Sequence, residues 1–65
     1  MVTLESETRP ITVLIADDHE LVRAGLKRVL EEAGDMRVVG EASNGREACD
    51  VYEALRPDVV IMDLT

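Results

Sequence analysis

The chain has 65 residues, 46% of them hydrophobic and 32% charged, so it is too apolar for a disordered acidic segment and forms at most one small domain. Its 14 acidic and 7 basic residues give a net charge of -7, which argues against non-specific binding to nucleic acids or anionic membranes, because phosphate groups would be repelled. Its single cysteine, Cys49, excludes an internal disulfide and a cysteine metal cluster, and we expect a cytoplasmic chain in a reducing compartment.

The first half of the chain predicts a strand followed by a helix. Residues 1–10 form a polar leader that ends at Pro10 and is expected to be a flexible tail. Residues 11–16 form a β-branched apolar run without strict alternation, which indicates a strand buried on both faces. From Glu20 apolar residues recur at helical spacing, and Gly34 fits the position just past the end of the helix.

The second half predicts strand, helix and strand again. Residues 37–42 form a weaker strand, and Ser43 or Asn44 offers an oxygen to cap the helix that follows. Pro57 restrains Arg56 from helical geometry and so ends that helix. Residues 59–62 are apolar and predict a third, buried strand. Strands alternating with helices imply right-handed crossovers and a parallel sheet, so the predicted fold class is α/β.

Carboxylates follow two of the three predicted strands. Asp17 and Asp18 come directly after the first strand, and Asp63 comes directly after the third. The carboxyl ends of parallel strands share one edge of the sheet, where α/β proteins bind their ligands. Like charges about 4 Å apart repel by about 4 kcal/mol at an effective dielectric constant of about 20, so such a cluster favours a cation. Oxygen ligands suit Mg²⁺, and the pattern predicts a Mg²⁺-assisted phosphoryl site.

Each of these residues also has a structural interpretation. An aspartate pair before a helix is most often a cap and a solvated turn residue, and many strands end in a polar residue. The sequence favours His19 as a polar residue of the strand–helix loop over a metal ligand or phosphoryl carrier. It favours Cys49 as a small packing residue on or beside the second helix. Leu26, Val29 and Leu30 are predicted to belong to the core.

Three ordered segments carry a family resemblance that covers residues 11–65. They are VLIADDHELVRAGL at 13–26, VVGEASNG at 38–45 and RPDVVIMDL at 56–64. Together they resemble the start of a response-regulator receiver domain of the NarL/LuxR type. The resemblance implies a flavodoxin-like fold with sheet order 2-1-3-4-5. We expect residues 11–65 to form only its amino-terminal βαβαβ portion, with order 2-1-3, as a partial receiver domain after the leader of residues 1–10.

The resemblance also implies roles for particular residues. Asp63 would be the phosphoacceptor, taking a phosphoryl group from a sensor histidine kinase. Asp17, Asp18 and Asp63 would hold Mg²⁺ together with the backbone carbonyl of Thr65. The first helix would face the kinase-side partner, with Leu21, Arg23 and Lys27 contributing. The module would serve two-component signal transduction and transcription regulation as a phosphoprotein rather than an enzyme, without itself contacting nucleic acid or a membrane.

Three other functions compete with this interpretation. A phosphohydrolase of the haloacid-dehalogenase kind would need a second aspartate two residues after the nucleophile, where Thr65 stands. A Rossmann dinucleotide binder would need a glycine-rich loop after the first strand, where Asp17, Asp18 and His19 stand. An inert fragment would only self-associate. We also expect self-association through the third strand, whose outer edge would be unpaired.

Overall fold

The structure is a computed structural model that describes residues 9–63; residues 1–8 of the predicted leader, and Leu64 and Thr65, lie outside this range. Three strands alternate with two helices in the predicted order. They are β1 (Ile11–Asp17), α1 (Glu20–Glu32), β2 (Met36–Ala42), α2 (Gly45–Leu55) and β3 (Val59–Asp63). No helix among the described residues is long and apolar enough to cross a membrane.

The strands form one parallel sheet in the order β2-β1-β3, which confirms the predicted fold class and strand order. The chain moves from β1 to β2 on one side and then to β3 on the other. With the right-handed crossovers that parallel strands adopt, this reversal places α1 and α2 on opposite faces of the sheet. Accordingly, the two helices make no contact with each other within residues 9–63.

The core lies around the central strand β1. Val13, Leu14, Ile15 and Ala16 are all buried, as the apolar run predicted for a strand covered on both faces. Leu14 and Ala16 pack in one cluster with Ala48 of α2 and Ala42 at the end of β2. Side chains alternate along a strand, so Val13 and Ile15 point to the face opposite Leu14 and Ala16.

Local signals set the ends of both helices. Asn44 caps α2, because its side-chain oxygen accepts a hydrogen bond from the Glu47 backbone N–H at 2.8 Å. Arg56 ends α2 in the left-handed region, with φ of 48° and ψ of 59°, and is thus outside the right-handed helical region that Pro57 disfavours. Gly34 follows α1 with φ of 88°, a left-handed conformation that glycine adopts without steric cost. At the other end of α1, His19 is the N-cap residue but makes no side-chain capping bond.

Gly40 allows α2 to pack directly on the backbone of β2. A Cβ atom at this position would lie 2.7 Å from Val51 Cγ1 and 3.1 Å from Leu55 Cδ1. The strand is irregular here: Val13 pairs with Val38 but Leu14 pairs with Gly40, so one extra residue of β2 is accommodated. The missing side chain therefore brings α2 close to the sheet beside Leu14.

Two predictions about burial are wrong. Within residues 9–63, α1 has no fully buried residue, and Val29, predicted to be core, is 64% exposed, while Leu26 and Leu30 are half-buried. The third strand is not buried either, since Met62 is 57% exposed. The physical reason is the same in both cases: the described residues place only β1 beside β3 and no second helix against α1.

An apolar groove of about 260 Å³ runs between α2 and β3, lined in part by Cys49, which is exposed there.

Asp58 joins the starts of β1 and β3. Its carboxylate accepts hydrogen bonds from the Thr12 backbone N–H and hydroxyl, both at 2.9 Å, and its own backbone N–H donates to the Thr12 carbonyl at 3.0 Å. Arg9 forms an ion pair with the same carboxylate at 3.2 Å. These donors, first of all the Thr12 backbone N–H, lower the pKa of Asp58 below its ordinary value.

Asp58 should make the stability of the fold depend on pH in the acid range. A lowered pKa means that the carboxylate stabilises the folded state above the unfolded-state pKa, about 3.9, and that this contribution is lost as the pH falls through the folded pKa. We expect Asp58→Asn to lower the unfolding midpoint at neutral pH and the difference from the unsubstituted protein to shrink below about pH 4. Thermal unfolding across pH measures it, with the exposed Asp50→Asn as control. A difference that is constant with pH would contradict the assignment.

Candidate functional site

The carboxyl edge of the sheet brings together the acidic residues that follow β1 and β3. Asp17 ends β1 and Asp63 ends β3, and the two are direct partners in the parallel register. Asp18 follows Asp17 as an exposed residue of the turn before α1. This edge lies where the order of strands reverses around β1, the position at which open α/β sheets bind their ligands. Thr65, the fourth predicted ligand, lies outside the described residues.

Asp17 is a buried carboxylate, with 2% of its surface exposed. Its Oδ1 atom accepts a hydrogen bond from the His19 backbone N–H at 2.7 Å and lies 2.9 Å from the His19 Nδ1 atom. The backbone hydrogen bond, followed by the contacts with the His19 ring and the positive charge of Arg23, lowers the pKa of Asp17 against the opposing effect of burial. Asp17 is therefore held as an anion inside the fold.

His19 lies between the two neighbouring carboxylates. Its Nδ1 atom is 2.9 Å from Asp17 Oδ1 and 2.9 Å from Asp18 Oδ1. The hydrogen bond to Asp17, the charges of Asp18 and Asp17, and the more distant charge of Asp63 raise the pKa of His19. A protonated imidazole can thus offset the negative charge of this edge. The sequence placed His19 correctly in the loop but missed its contact with both aspartates.

Arg23 ties the end of β1 to its neighbours. Its Nη1 atom donates to the backbone carbonyl of Asp17 at 2.6 Å, and its Nε atom donates to Glu41 Oε1 at 3.4 Å. The side chain is only 15% exposed, so it is turned towards the sheet and away from solvent. The expectation that Leu21, Arg23 and Lys27 contribute to a partner surface stays a prediction, and Leu21 on the same helix is 87% exposed.

A cluster of possible metal ligands lies at the end of β1. One ligand atom each from Asp17, Asp18 and His19 lies within 4.8 Å of the others, and no other group of this kind occurs among residues 9–63. Both hydrogen bonds that the Asp17 carboxylate accepts go to Oδ1, and no donor from the described residues reaches its Oδ2 atom. Carboxylate oxygens of this kind are the hard anionic ligands that Mg²⁺ prefers. The cluster does not include Asp63, which is the register partner of Asp17 in β3.

Comparison with known proteins agrees with this arrangement. The sequence profile of the response regulator receiver domain matches residues 13–65. The nitrate/nitrite response regulator protein NarL of Escherichia coli strain K12 is 44% identical over 59 residues, which are 91% of this chain and 27% of that protein. The response regulator UvrY of Escherichia coli O6:H1 is 53% identical over 55 residues, or 85% of this chain and 25% of that protein.

A relative from another organism matches over a similar length. The transcriptional regulatory protein LiaR of Bacillus subtilis is 52% identical over 54 residues, which are 83% of this chain and 26% of that protein. The chain thus spans about a quarter of the length of the curated relatives it matches. The part matched by the family profile, residues 13–65, includes Asp17, Asp18 and Asp63.

Proposed function

The chain belongs to the family of response regulator receiver domains, and on that premise we propose that it accepts a phosphoryl group on Asp63 from a histidine kinase. The observation that carries the proposal is the register of β1 and β3, in which Asp63 stands directly beside the buried Asp17. The relatives named as response regulators and a transcriptional regulatory protein support a role in two-component control of transcription.

The proposed reaction is a single phosphoryl transfer. An oxygen of the Asp63 carboxylate forms a bond to phosphorus while the bond between phosphorus and the imidazole nitrogen of a phosphohistidine breaks. The electron pair of the broken bond stays on that nitrogen, and the product on this chain is an aspartyl phosphate. A carboxylate is a competent nucleophile for this step, as in enzymes that form aspartyl phosphates.

Asp17, Asp18 and Asp63, with the carbonyl of Thr65, are the groups that would hold Mg²⁺. When bound, the cation neutralises charge on the phosphoryl oxygens and positions the reacting groups. Asp17 contributes a carboxylate kept anionic by its hydrogen bonds, and Asp18 contributes an exposed one. His19 supplies a positive charge to the same carboxylates through its ring when it is protonated.

The competing functions have less support. The family match favours a receiver over a haloacid-dehalogenase phosphohydrolase, and the second aspartate which that chemistry needs is replaced by Thr65.

Within residues 9–63, β3 pairs on one side only, with β1. Self-association through its other edge remains a prediction, which sedimentation can test separately from the phosphoryl chemistry.

The proposal predicts Mg²⁺-dependent labelling of the intact gene product by a small phosphodonor. We expect incubation with acetyl phosphate and Mg²⁺ to give a covalent phosphoprotein that is stable to gel filtration and released by hydroxylamine, as acyl phosphates are. A chelator should suppress the labelling, and intact-mass spectrometry measures it. Hydrolysis of acetyl phosphate without a phosphoprotein would favour a phosphohydrolase, and the absence of any reaction would favour an inert fragment.

A further inference from the structure

Arg23 is the cation that links α1 to the backbone of the acidic edge. Its guanidinium reaches the carbonyl oxygen of Asp17 at 2.6 Å, and the residue that follows this carbonyl is Asp18. Its Nε atom reaches Glu41 on β2 at 3.4 Å. One side chain therefore connects three elements, and a guanidinium has the several fixed donors that such a connection needs.

The bond from Arg23 is made to the backbone and not to a carboxylate. It holds the peptide group between Asp17 and Asp18 without engaging their carboxylates, whose Oδ1 atoms contact His19. The turn that carries Asp18 is also held by the Asp17 carboxylate, which accepts a hydrogen bond from the His19 backbone N–H at 2.7 Å, while the His19 side chain makes no capping bond to α1. The Arg23 side chain is only 15% exposed, so neighbouring residues restrict its movement. A fully exposed arginine on the surface would not be restricted in this way.

We propose that Arg23 is a positioning residue that sets the Asp17–Asp18 backbone for cation binding, an inference that rests on the proposed function of this edge. Residues that orient metal ligands without touching the metal typically contribute about 10–100-fold to metal affinity. Arg23 acts here through the peptide carbonyl of a ligand residue, with Glu41 orienting the guanidinium in turn.

Whether substitution of Arg23 raises or lowers the Mg²⁺ affinity distinguishes a positioning role from a purely electrostatic one. Arg23 is positively charged and its Nη1 atom lies 2.6 Å from the Asp17 carbonyl oxygen, so its charge alone opposes the binding of a divalent cation nearby. Removing only that charge would tighten Mg²⁺ binding. Removing a positioning contact would weaken it. Lys27 is the matched control, because it lies one turn further along α1 and approaches Glu41 at 4.0 Å without a bond to the Asp17 carbonyl.

The test is calorimetric titration of the intact gene product with Mg²⁺, carried out on folded samples checked by thermal unfolding. We expect Arg23→Gln to weaken Mg²⁺ binding about tenfold. Arg23→Lys keeps the charge but not the fork of donors, and should also bind Mg²⁺ more weakly. Lys27→Gln should leave the affinity unchanged or slightly increased. In the metal-free protein, Arg23→Gln should also speed hydrogen exchange of the His19 amide, which donates to Asp17.

The outcomes distinguish this inference from the function beneath it. If the unsubstituted protein binds Mg²⁺ and Arg23→Gln binds as tightly or more tightly, the positioning role is wrong and the proposed function stands. If Arg23→Gln and Lys27→Gln change the affinity equally, the effect is one of charge and the role is again wrong. If the unsubstituted protein does not bind Mg²⁺, both proposals fail. If Arg23→Gln does not fold, the Mg²⁺ affinity of Arg23→Lys becomes the test. An Arg23→Lys variant that binds Mg²⁺ as tightly as the unsubstituted protein would overturn the inference.

Discussion

Replacing Asp63 with asparagine should abolish phosphorylation by acetyl phosphate while leaving the fold intact. Asparagine has nearly the same shape but lacks the anionic oxygen that attacks phosphorus, so no acyl phosphate can form at this position. The residue ends β3 and is exposed, so its neutralisation should not disturb the buried residues of β1. Intact-mass spectrometry after incubation with acetyl phosphate and Mg²⁺ measures the result, and we expect no phosphorylated species.

The matched control for this substitution is Asp50→Asn. Asp50 is an exposed carboxylate on α2, away from the carboxyl edge of β1 and β3, and its substitution makes the same change in charge. It should be labelled as well as the unsubstituted protein. Labelling of Asp63→Asn at an undiminished level would show that the phosphoryl group goes to another residue.

Replacing Asp18 with asparagine should weaken Mg²⁺ binding at least tenfold. Loss of a partner that only orients a metal ligand costs about 10–100-fold in affinity, and loss of a charged ligand itself should cost no less. Asp18 is exposed, with 38% of its side-chain surface accessible, so the substitution removes a ligand without emptying a buried position. Calorimetric titration with Mg²⁺ measures the affinity.

Glu20→Gln is the control for Asp18→Asn. Glu20 is an exposed acid in the first turn of α1, two residues from Asp18, and its substitution removes the same charge from the same region. It should change the Mg²⁺ affinity only slightly, because water and salt screen an exposed charge that is not a ligand. Equal losses in the two variants would mean that Asp18 acts through its charge alone and not as a ligand.

The order and ends of the secondary-structure elements were predictable because local chemistry sets them. Asn44 caps α2 with its own side chain, Gly34 takes the left-handed conformation after α1, and Pro57 keeps Arg56 out of the helix. These signals act over a few residues and so can be recognised in the sequence. The apolar run of β1 likewise predicted a central strand, because only a strand covered on both faces favours apolar residues at successive positions.

Burial away from β1 was not predictable from the same patterns. An apolar residue such as Val29 marks a face that another element can cover, but periodicity does not say whether that element lies within the described residues. Val29 and Met62 are exposed within residues 9–63 for this reason. The register irregularity at Gly40 was missed as well, since it depends on how closely α2 approaches β2.

The acidic edge was predicted as a set of positions, but its contacts were not. Asp17 and Asp63 follow their strands directly, and a parallel sheet brings such positions to one edge whatever the loops do. The contacts of His19 and Arg23 depend on the rotation of α1 about its axis. One signal was present: Arg23 lies one turn after His19, and helical side chains lean towards the amino terminus, which points Arg23 back at the end of β1.

The most direct test of the central claim is to locate the phosphoryl group by chemical trapping. Borohydride reduces an aspartyl phosphate to homoserine, so peptide mapping by mass spectrometry after reaction with acetyl phosphate and Mg²⁺ identifies the acceptor. We expect homoserine at position 63 in the treated protein and aspartate at that position when Mg²⁺ is withheld. Homoserine at another aspartate, or a phosphoryl group carried by His19 with position 63 unmodified, would contradict the account.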